Sequence, residues 1–217
     1  MTKWAVFDVD GTLFPPSSME KSFLLYMFRN GILPSQNIFY YFLTGIIKTI
    51  QQNYAEGFKN NKNYLKYLPC LPVKRSGKRF VRENIWPRIS PAGIERIQFY
   101  QSKKYHILIM SGSPDFLTYP LIPFIQPDYV IAADLEIKRN RYTGQLSGLH
   151  PYGERKSEIL LQLQHKIGID FFSSVVFANH TSDFYHMSLF GKAVAVNPTE
   201  KLKRKAQQQN WPIEIWE

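Results

Sequence analysis

The chain has 217 residues, 44% of them hydrophobic and 15% aromatic, which excludes a disordered chain and allows one domain or a domain with a sizeable insertion. Its single cysteine, Cys70, excludes an intramolecular disulfide framework and fits a reducing, cytoplasmic setting. The formal net charge of +10 favours anionic partners, whether phosphorylated metabolites, nucleic acid or acidic lipid head groups, without choosing among them. No signal peptide is expected, because the first residues lead straight into a strand.

That strand is Trp4-Ala5-Val6-Phe7, followed by Asp8-Val9-Asp10-Gly11-Thr12-Leu13. It is an apolar run of the kind buried in a parallel sheet, and it ends on two carboxylates and a glycine turn. In open α/β sheets, ligands bind outside the carboxyl ends of the strands, where Asp8 and Asp10 would sit. One acid can then attack a phosphorus while the other handles the proton. A strand followed by an Asx turn is the plainer alternative, since Asp-Gly is common turn chemistry.

After the Pro15-Pro16-Ser17-Ser18 linker, strand character is lost until about Arg88. Helices are expected at Met19–Asn30, Ser35–Gln52, Tyr54–Tyr67 and Val73–Trp86, punctuated by Pro34, the Pro69-Cys70-Leu71-Pro72 turn and Pro87. This all-helical insertion, residues 16–88, falls where a cap over an active site would sit. The remainder, 1–15 and 89–217, forms the α/β core. The most apolar stretch, Ile38 to Ile50, is too short to span a bilayer and is broken by Thr44, Gly45 and Lys48. Within it, Phe39-Tyr40-Tyr41-Phe42 reads as helix core, with a lipid pocket as the alternative. Arg75, Lys78, Arg79 and Arg82 recur at helical spacing opposite Val73, Phe80, Val81 and Ile85, which makes a solvated basic face. An anion-attracting wall over the site, or a patch for acidic membrane, is the functional alternative.

The core resumes with a helix from Ser90-Pro91, with Ile94 and Ile97 facing inward. A buried strand, His106–Met110, then ends at Ser111-Gly112-Ser113-Pro114. A hydroxyl and a glycine at a strand end, just before a Ser-Pro helix start, suit an anion, although a capped helix start needs no ligand. A third strand, Tyr129–Ala132, is followed by a hairpin of Leu135–Lys138 with Tyr142–Leu146. A helix opened by Gly153-Glu154-Arg155-Lys156 directs Ile159, Leu160, Leu163 and Ile167 inward and stops at Gly168. A first-turn lysine opposes the helix macrodipole, as expected if Lys156 is aimed at an anion; most such lysines are solvated. A fourth strand, Val175–Ala178, ends in Asn179-His180-Thr181-Ser182-Asp183. A fifth, Ala193–Val196, turns at Asn197-Pro198 into a basic tail helix carrying Lys201, Lys203, Arg204 and Lys205. His180 and His186 lack zinc-site spacing.

Taken in order, Asp8-x-Asp10-Gly11-Thr12, Ser111-Gly112-Ser113, Lys156 and the acidic cluster ending in Asp183 resemble the four motifs of the haloacid dehalogenase superfamily. The match extends through nearly the whole chain outside the helical insertion. Ser111-Gly112-Ser113-Pro114-Asp115-Phe116, Tyr142-Thr143-Gly144, Val194–Pro198 and Trp211-Pro212 look like its phosphoserine-phosphatase-like subfamily. The resemblance implies a Rossmann-like, doubly wound, mostly parallel sheet with a helical cap. It also implies a Mg²⁺-dependent phosphomonoester hydrolase. Asp8 would be the nucleophile that becomes an aspartyl phosphate. Asp10 would protonate the leaving oxygen and then activate water. Ser111 and the Gly112 N–H would hold the phosphoryl oxygens, with Lys156 neutralising charge beside them. Asp8, Asp10 through its carbonyl, Asn179 and Asp183 would bind the metal.

Two departures qualify this. The family places an acid four residues before Asp183, and here the residue is Asn179, whose amide oxygen can ligate a hard cation but adds no charge. Phosphoserine phosphatases also carry a substrate-binding glutamate shortly after the first motif, where this chain has Pro15–Ser18; Glu20 lies further on. The expected substrate is therefore a small phosphorylated metabolite or a lipid phosphate other than phosphoserine. A catalytically weakened, phosphate-binding or membrane-associated regulator is the alternative, with peripheral contact to acidic membrane. Nucleic acid comes last, because the basic residues accompany no recognition motif.

Overall fold

The computed structural model describes residues 1–15, 18–51 and 59–216, the last four of the second segment by backbone alone. A six-stranded sheet has the order β3-β2-β1-β6-β7-β8. The strands are β1 (Trp4–Asp8), β2 (His106–Pro114), β3 (Tyr129–Ala133), β6 (Val175–Ala178), β7 (Lys192–Val196) and β8 (Ile213–Glu214). Every neighbouring pair is parallel, and β1 lies between β2 and β6. Its alternate side chains go to opposite faces, as the period of two in a strand requires. Ala5 and Phe7 join one buried cluster, whereas Trp4 and Val6 join the other. Phe7 stacks on Phe177 with ring centroids 4.6 Å apart, which ties β1 to β6 across the centre of the sheet.

Helices α1 (Met19–Arg29), α2 (Ser35–Gln51) and α3 (Cys70–Phe80) form the insertion. Helices α4 (Pro91–Ser102), α5 (Arg155–Ile167) and α6 (Glu200–Gln208) belong to the α/β part. Ser18 caps α1 through Lys21 N–H, and Ser90 caps α4 through Gly93 N–H at 3.2 Å. Gly168 closes α5 in the left-handed conformation, φ 68°. Among the described residues the insertion has no separate core of its own. Phe23, Met27, Tyr64, Val73 and Phe80 share one buried cluster with Phe7, Ile109 and Phe177 of the sheet.

The antiparallel hairpin of β4 (Leu135–Lys138) and β5 (Arg141–Leu146) reaches across to the insertion. Tyr67 N–H donates to the Tyr142 carbonyl and Tyr142 N–H to the Leu68 carbonyl, at 2.8 and 3.0 Å.

Several expectations need correction. The helix read over Tyr54–Tyr67 begins outside the described residues, as do Pro16, Ser17 and Gln52. From Asn60 the backbone makes only a short 3₁₀ turn, Asn63–Leu65, held by polar side chains rather than by helical periodicity. Helix α3 starts at Cys70, inside the expected Pro-Cys-Leu-Pro turn, because Pro72 fits a first helical turn. Past Phe80 it widens into a π turn, Val81–Ile85, and ends in a 3₁₀ turn at Trp86–Arg88. Ser113 does not cap a long helix; β2 runs through Pro114 with a register shift after Met110, and Asp115–Thr118 is a single helical turn. Strand β8 has no counterpart among the expected strands. The Phe39–Phe42 run is not helix core, since Phe39 is 64% and Phe42 54% exposed.

Candidate active site

The carboxyl ends of β1, β2 and β6 converge with the start of α5 on a cavity of about 360 Å³, lined by Asp8, Asp10, Gly112, Lys156, Asn179 and Asp183 among others. Asp8 is the last residue of β1 and is 6% exposed. Lys156, in the first turn of α5, is buried, not solvated. Its Nζ donates to Asp8 Oδ1 at 2.7 Å and to Asp183 Oδ1 at 2.8 Å. Burial of an ammonium is tolerated here because two carboxylates meet it. Thr12 Oγ1 donates to the other Asp8 oxygen at 3.3 Å.

The charges are unequal in consequence. Burial pushes the Asp8 carboxyl up to about 7; Lys156 pulls against this, while Asp183 and Asp10 add to it. Asp183 feels the same burial, but Lys156 and His186 hold it below the ordinary carboxylate range. For Lys156, burial disfavours the charge, and Asp183 and Asp8 more than offset it, so the ammonium is held above its usual range.

Asp10 follows Asp8 by two residues, and the Gly11 turn re-aims it. Its Oδ1 accepts Met19 N–H, the start of α1, at 2.5 Å. Its Oδ2 accepts the hydroxyls of Ser111 and Ser113 at 2.9 and 2.8 Å. The Ser111 hydroxyl is thus directed to Asp10, and Ser111 is fully buried; the cavity wall on β2 is Gly112 and Ser113.

Gly11 sits at φ +89°, and a Cβ there would lie 2.1 Å from Asn179 Nδ2. Only glycine both makes this turn and leaves room for the Asn179 side chain. Asp183 is fixed from below, since His180 N–H donates to its Oδ2 at 3.3 Å.

The structure brings Asp8, Asp10, Gly112, Lys156, Asn179 and Asp183 to one cavity; Ser111, expected at the phosphoryl oxygens, lies behind it with its hydroxyl on Asp10. It leaves out the basic stripe: Arg75, Lys78, Arg79 and Arg82 are exposed and none lines the cavity. Sequence reading missed His150, which is 2% exposed. Its Nε2 lies 2.9 Å from the Gly112 carbonyl and its Nδ1 2.7 Å from the Asn60 amide. Burial, reinforced by Lys62, pushes its imidazole down to about 3, so the ring is neutral and its Nε2–H donates to the Gly112 carbonyl. It joins the β2 loop to the insertion, and a lone histidine in a loop gives no sequence signal of this.

A second cavity, about 460 Å³, opens from the first and shares Glu20, Lys21 and Lys59 with it; Leu24, Tyr41, Phe42, Tyr64 and Tyr152 supply its apolar walls. Both oxygens of Glu20 are engaged, by the buried Lys62 ammonium at 2.5 Å and by the Tyr64 hydroxyl at 3.0 Å.

The four residues expected to bind a metal, Asp8, Asp10, Asn179 and Asp183, all line the first cavity and offer oxygen, the kind of donor a hard divalent cation takes. They are one negative charge short of a three-carboxylate set. Among the described residues, no group of three or more His, Cys, Asp or Glu is arranged to hold a metal ion.

Residues 5–188 match the family model described as haloacid dehalogenase-like hydrolase. The chain is 25% identical over 230 residues to a histidinol-phosphatase of Neisseria meningitidis, covering 98% of each. Its fold is similar to that of a protein of unknown function from Bordetella pertussis, with TM-score 0.83, 18% identity and 99% of each chain covered. It is also similar to a phospho-aspartyl intermediate analogue of phosphoserine phosphatase, with TM-score 0.67 and 21% identity, covering 99% of this chain and 93% of that one.

Proposed function

The chain belongs to the haloacid dehalogenase-like hydrolases, and from that premise we propose that it is a phosphomonoesterase working through Asp8. The observation that carries this reading is the buried Lys156 ammonium bridging Asp8 and Asp183 at the end of a parallel strand, with Asp10 beside it. Phosphoryl transfer needs an in-line nucleophile, a proton donor and positive charge around a spreading negative one. Asp8 attacks phosphorus, the bond from phosphorus to the alcohol oxygen breaks, and Asp10 delivers the proton to that oxygen. Water then attacks the aspartyl phosphate and gives its proton to Asp10; inorganic phosphate leaves and Asp8 is restored. In the arrangement described, Asp10 Oδ1 is occupied by Met19 N–H. Proton delivery from that oxygen therefore exchanges this contact for the leaving oxygen, which couples the chemistry to the start of α1.

Mg²⁺ fits the donors in kind, held by Asp8, the Asp10 carbonyl, Asn179 and Asp183; when bound it supplies Lewis-acid neutralisation of the phosphoryl oxygens. With an amide at Asn179, the affinity for the ion is weaker than a third carboxylate would give. The Gly112 and Ser113 wall suits phosphoryl oxygens, and Ser111 positions Asp10.

The leaving group enters the second cavity. Its aromatic walls favour a flat or apolar alcohol, as in a ring-bearing metabolite or a lipid phosphate. Among the described residues Glu20 is the one carboxylate lining that cavity, and its two oxygens already accept from Lys62 and Tyr64, which disfavours the ammonium of phosphoserine. The histidinol-phosphatase relative makes histidinol phosphate a natural member of a substrate panel.

Hydrolysis of an aryl phosphate, with and without Mg²⁺, tests the reading. Wild type should turn over in a metal-stimulated way and Asp8→Asn should not; equal rates in the two would overturn it. Asn179 favours a second reading, a site that binds phosphate without turning it over. That reading predicts an inert wild type and turnover that appears only in Asn179→Asp.

A further inference from the structure

Helix α2 presents its most apolar side outward. Phe39, Tyr40, Phe42, Leu43, Ile46 and Ile47 are 43–64% exposed. At about 100° per residue they cover an arc of roughly 160°, while Gly45 on the opposite side is buried and Ile38, Tyr41 and Thr44 are half-buried. A helix resting on a soluble body normally turns polar residues to water. This one contains no Asp, Glu or Arg, and Lys48 is its single charged residue. A contiguous apolar face of this kind marks a surface meant to be covered.

We infer that the outward face of α2 docks the protein on an anionic lipid surface. Charge decides the occupant. The chain carries +10, so a second copy brings like charge to the interface, whereas acidic head groups bring the opposite sign. Lys21 and Lys59 line the second cavity together with Phe42, which puts two cationic side chains beside this face for head-group phosphates to meet. Aromatic side chains such as Phe39 and Tyr40 suit the boundary between head groups and acyl chains. No helix among the described residues is long and apolar enough to cross a membrane, so the contact is peripheral. The docking does not require that the site be catalytic.

The test is co-sedimentation of the full chain with phosphatidylcholine vesicles and with vesicles also containing phosphatidylglycerol, for wild type and for Phe39→Ser/Ile46→Ser. Both substituted side chains are exposed, so unchanged circular dichroism and aryl-phosphate turnover should show that the variant is folded. Wild type should bind the anionic vesicles about tenfold or more tightly than the neutral ones, and the variant should lose about tenfold or more of that binding. Wild type remaining in the supernatant with anionic vesicles would overturn the inference. So would equal binding by the variant, which would locate the attraction in charges elsewhere. Light scattering that shows a dimer dissociated by the double substitution would assign the face to a second copy instead.

Discussion

At Lys156 one ammonium serves two buried carboxylates, so its removal acts on both chemistry and stability. Lys156→Met should lower turnover by about 10²–10³, the loss typical of one preorganised charge at a transition state. It should also destabilise the fold by about 3 kcal/mol, because Asp8 and Asp183 are left facing each other without a counterion. Adding Asp183→Asn should restore part of the stability and none of the turnover. Urea midpoints and steady-state rates on the same variants separate the two losses. The Asp8 carboxyl, raised to about 7 chiefly by burial, sets a pH limb as well. Only the ionised form attacks, so kcat/KM for an aryl phosphate, read without added metal, should climb tenfold per pH unit below about 7 and level off above it. Asp183→Asn removes one of the charges that raise Asp8 and should move the limb to lower pH. A profile flat down to about pH 5 would mean that no group titrating near 7 must ionise for turnover. Gly11→Ala places a Cβ against Asn179 at a φ of +89°. It should cost at least about 1 kcal/mol and lower activity by displacing the amide.

Among the elements, α1 and the Asn61–Leu65 segment are held together by a charge pair that hydrophobic packing alone would not require. Lys62 is 1% exposed, and its partner Glu20 has a side chain 17% exposed. Lys62→Met should destabilise the protein by about 3 kcal/mol by stranding Glu20, and Lys62→Met/Glu20→Gln should recover much of that; additive losses in denaturant would show that the pair is incidental. The sequence made the sheet legible because buried parallel strands are continuous apolar runs, and it made the site legible because Asp8, Lys156 and Asp183 sit at element ends, and Gly112 just before the end of β2, each marked by glycine or by polar clusters. Three things stayed hidden for physical reasons. Strand β8, Ile213–Glu214, is too short to carry a periodicity. The Asn60–Leu65 segment is organised by Asn61, Lys62 and Asn63, polar residues whose partners lie far along the chain. Helix α2 has an apolar period that reads the same whether the stripe faces a core or an external surface, so only its exposure separates the two.

For the whole molecule, stability against pH is a contest among buried groups at the site. Burial pushes the imidazoles of His150 and His186 down to about 3. In the unfolded chain they take up protons below about 6.5. Between those values the unfolded chain holds more protons, so stability falls as pH falls. Asp8 acts in the opposite sense. In the fold it is protonated below about 7, whereas in the unfolded chain it stays ionised to about 3.9, so it adds stability as pH falls through that window. One carboxyl thus offsets one of two imidazoles, and the net trend is a loss of stability on acidification. Asp8→Asn removes the offset. Its urea midpoint should therefore decline more steeply than that of wild type between about pH 6.5 and pH 4, while His186→Gln should decline less steeply. Parallel slopes for wild type and Asp8→Asn would mean that Asp8 keeps an ordinary carboxylate in the fold. In that case the Lys156 ammonium outweighs burial at the nucleophile, and the acid limb of turnover should move below about pH 7 along with it.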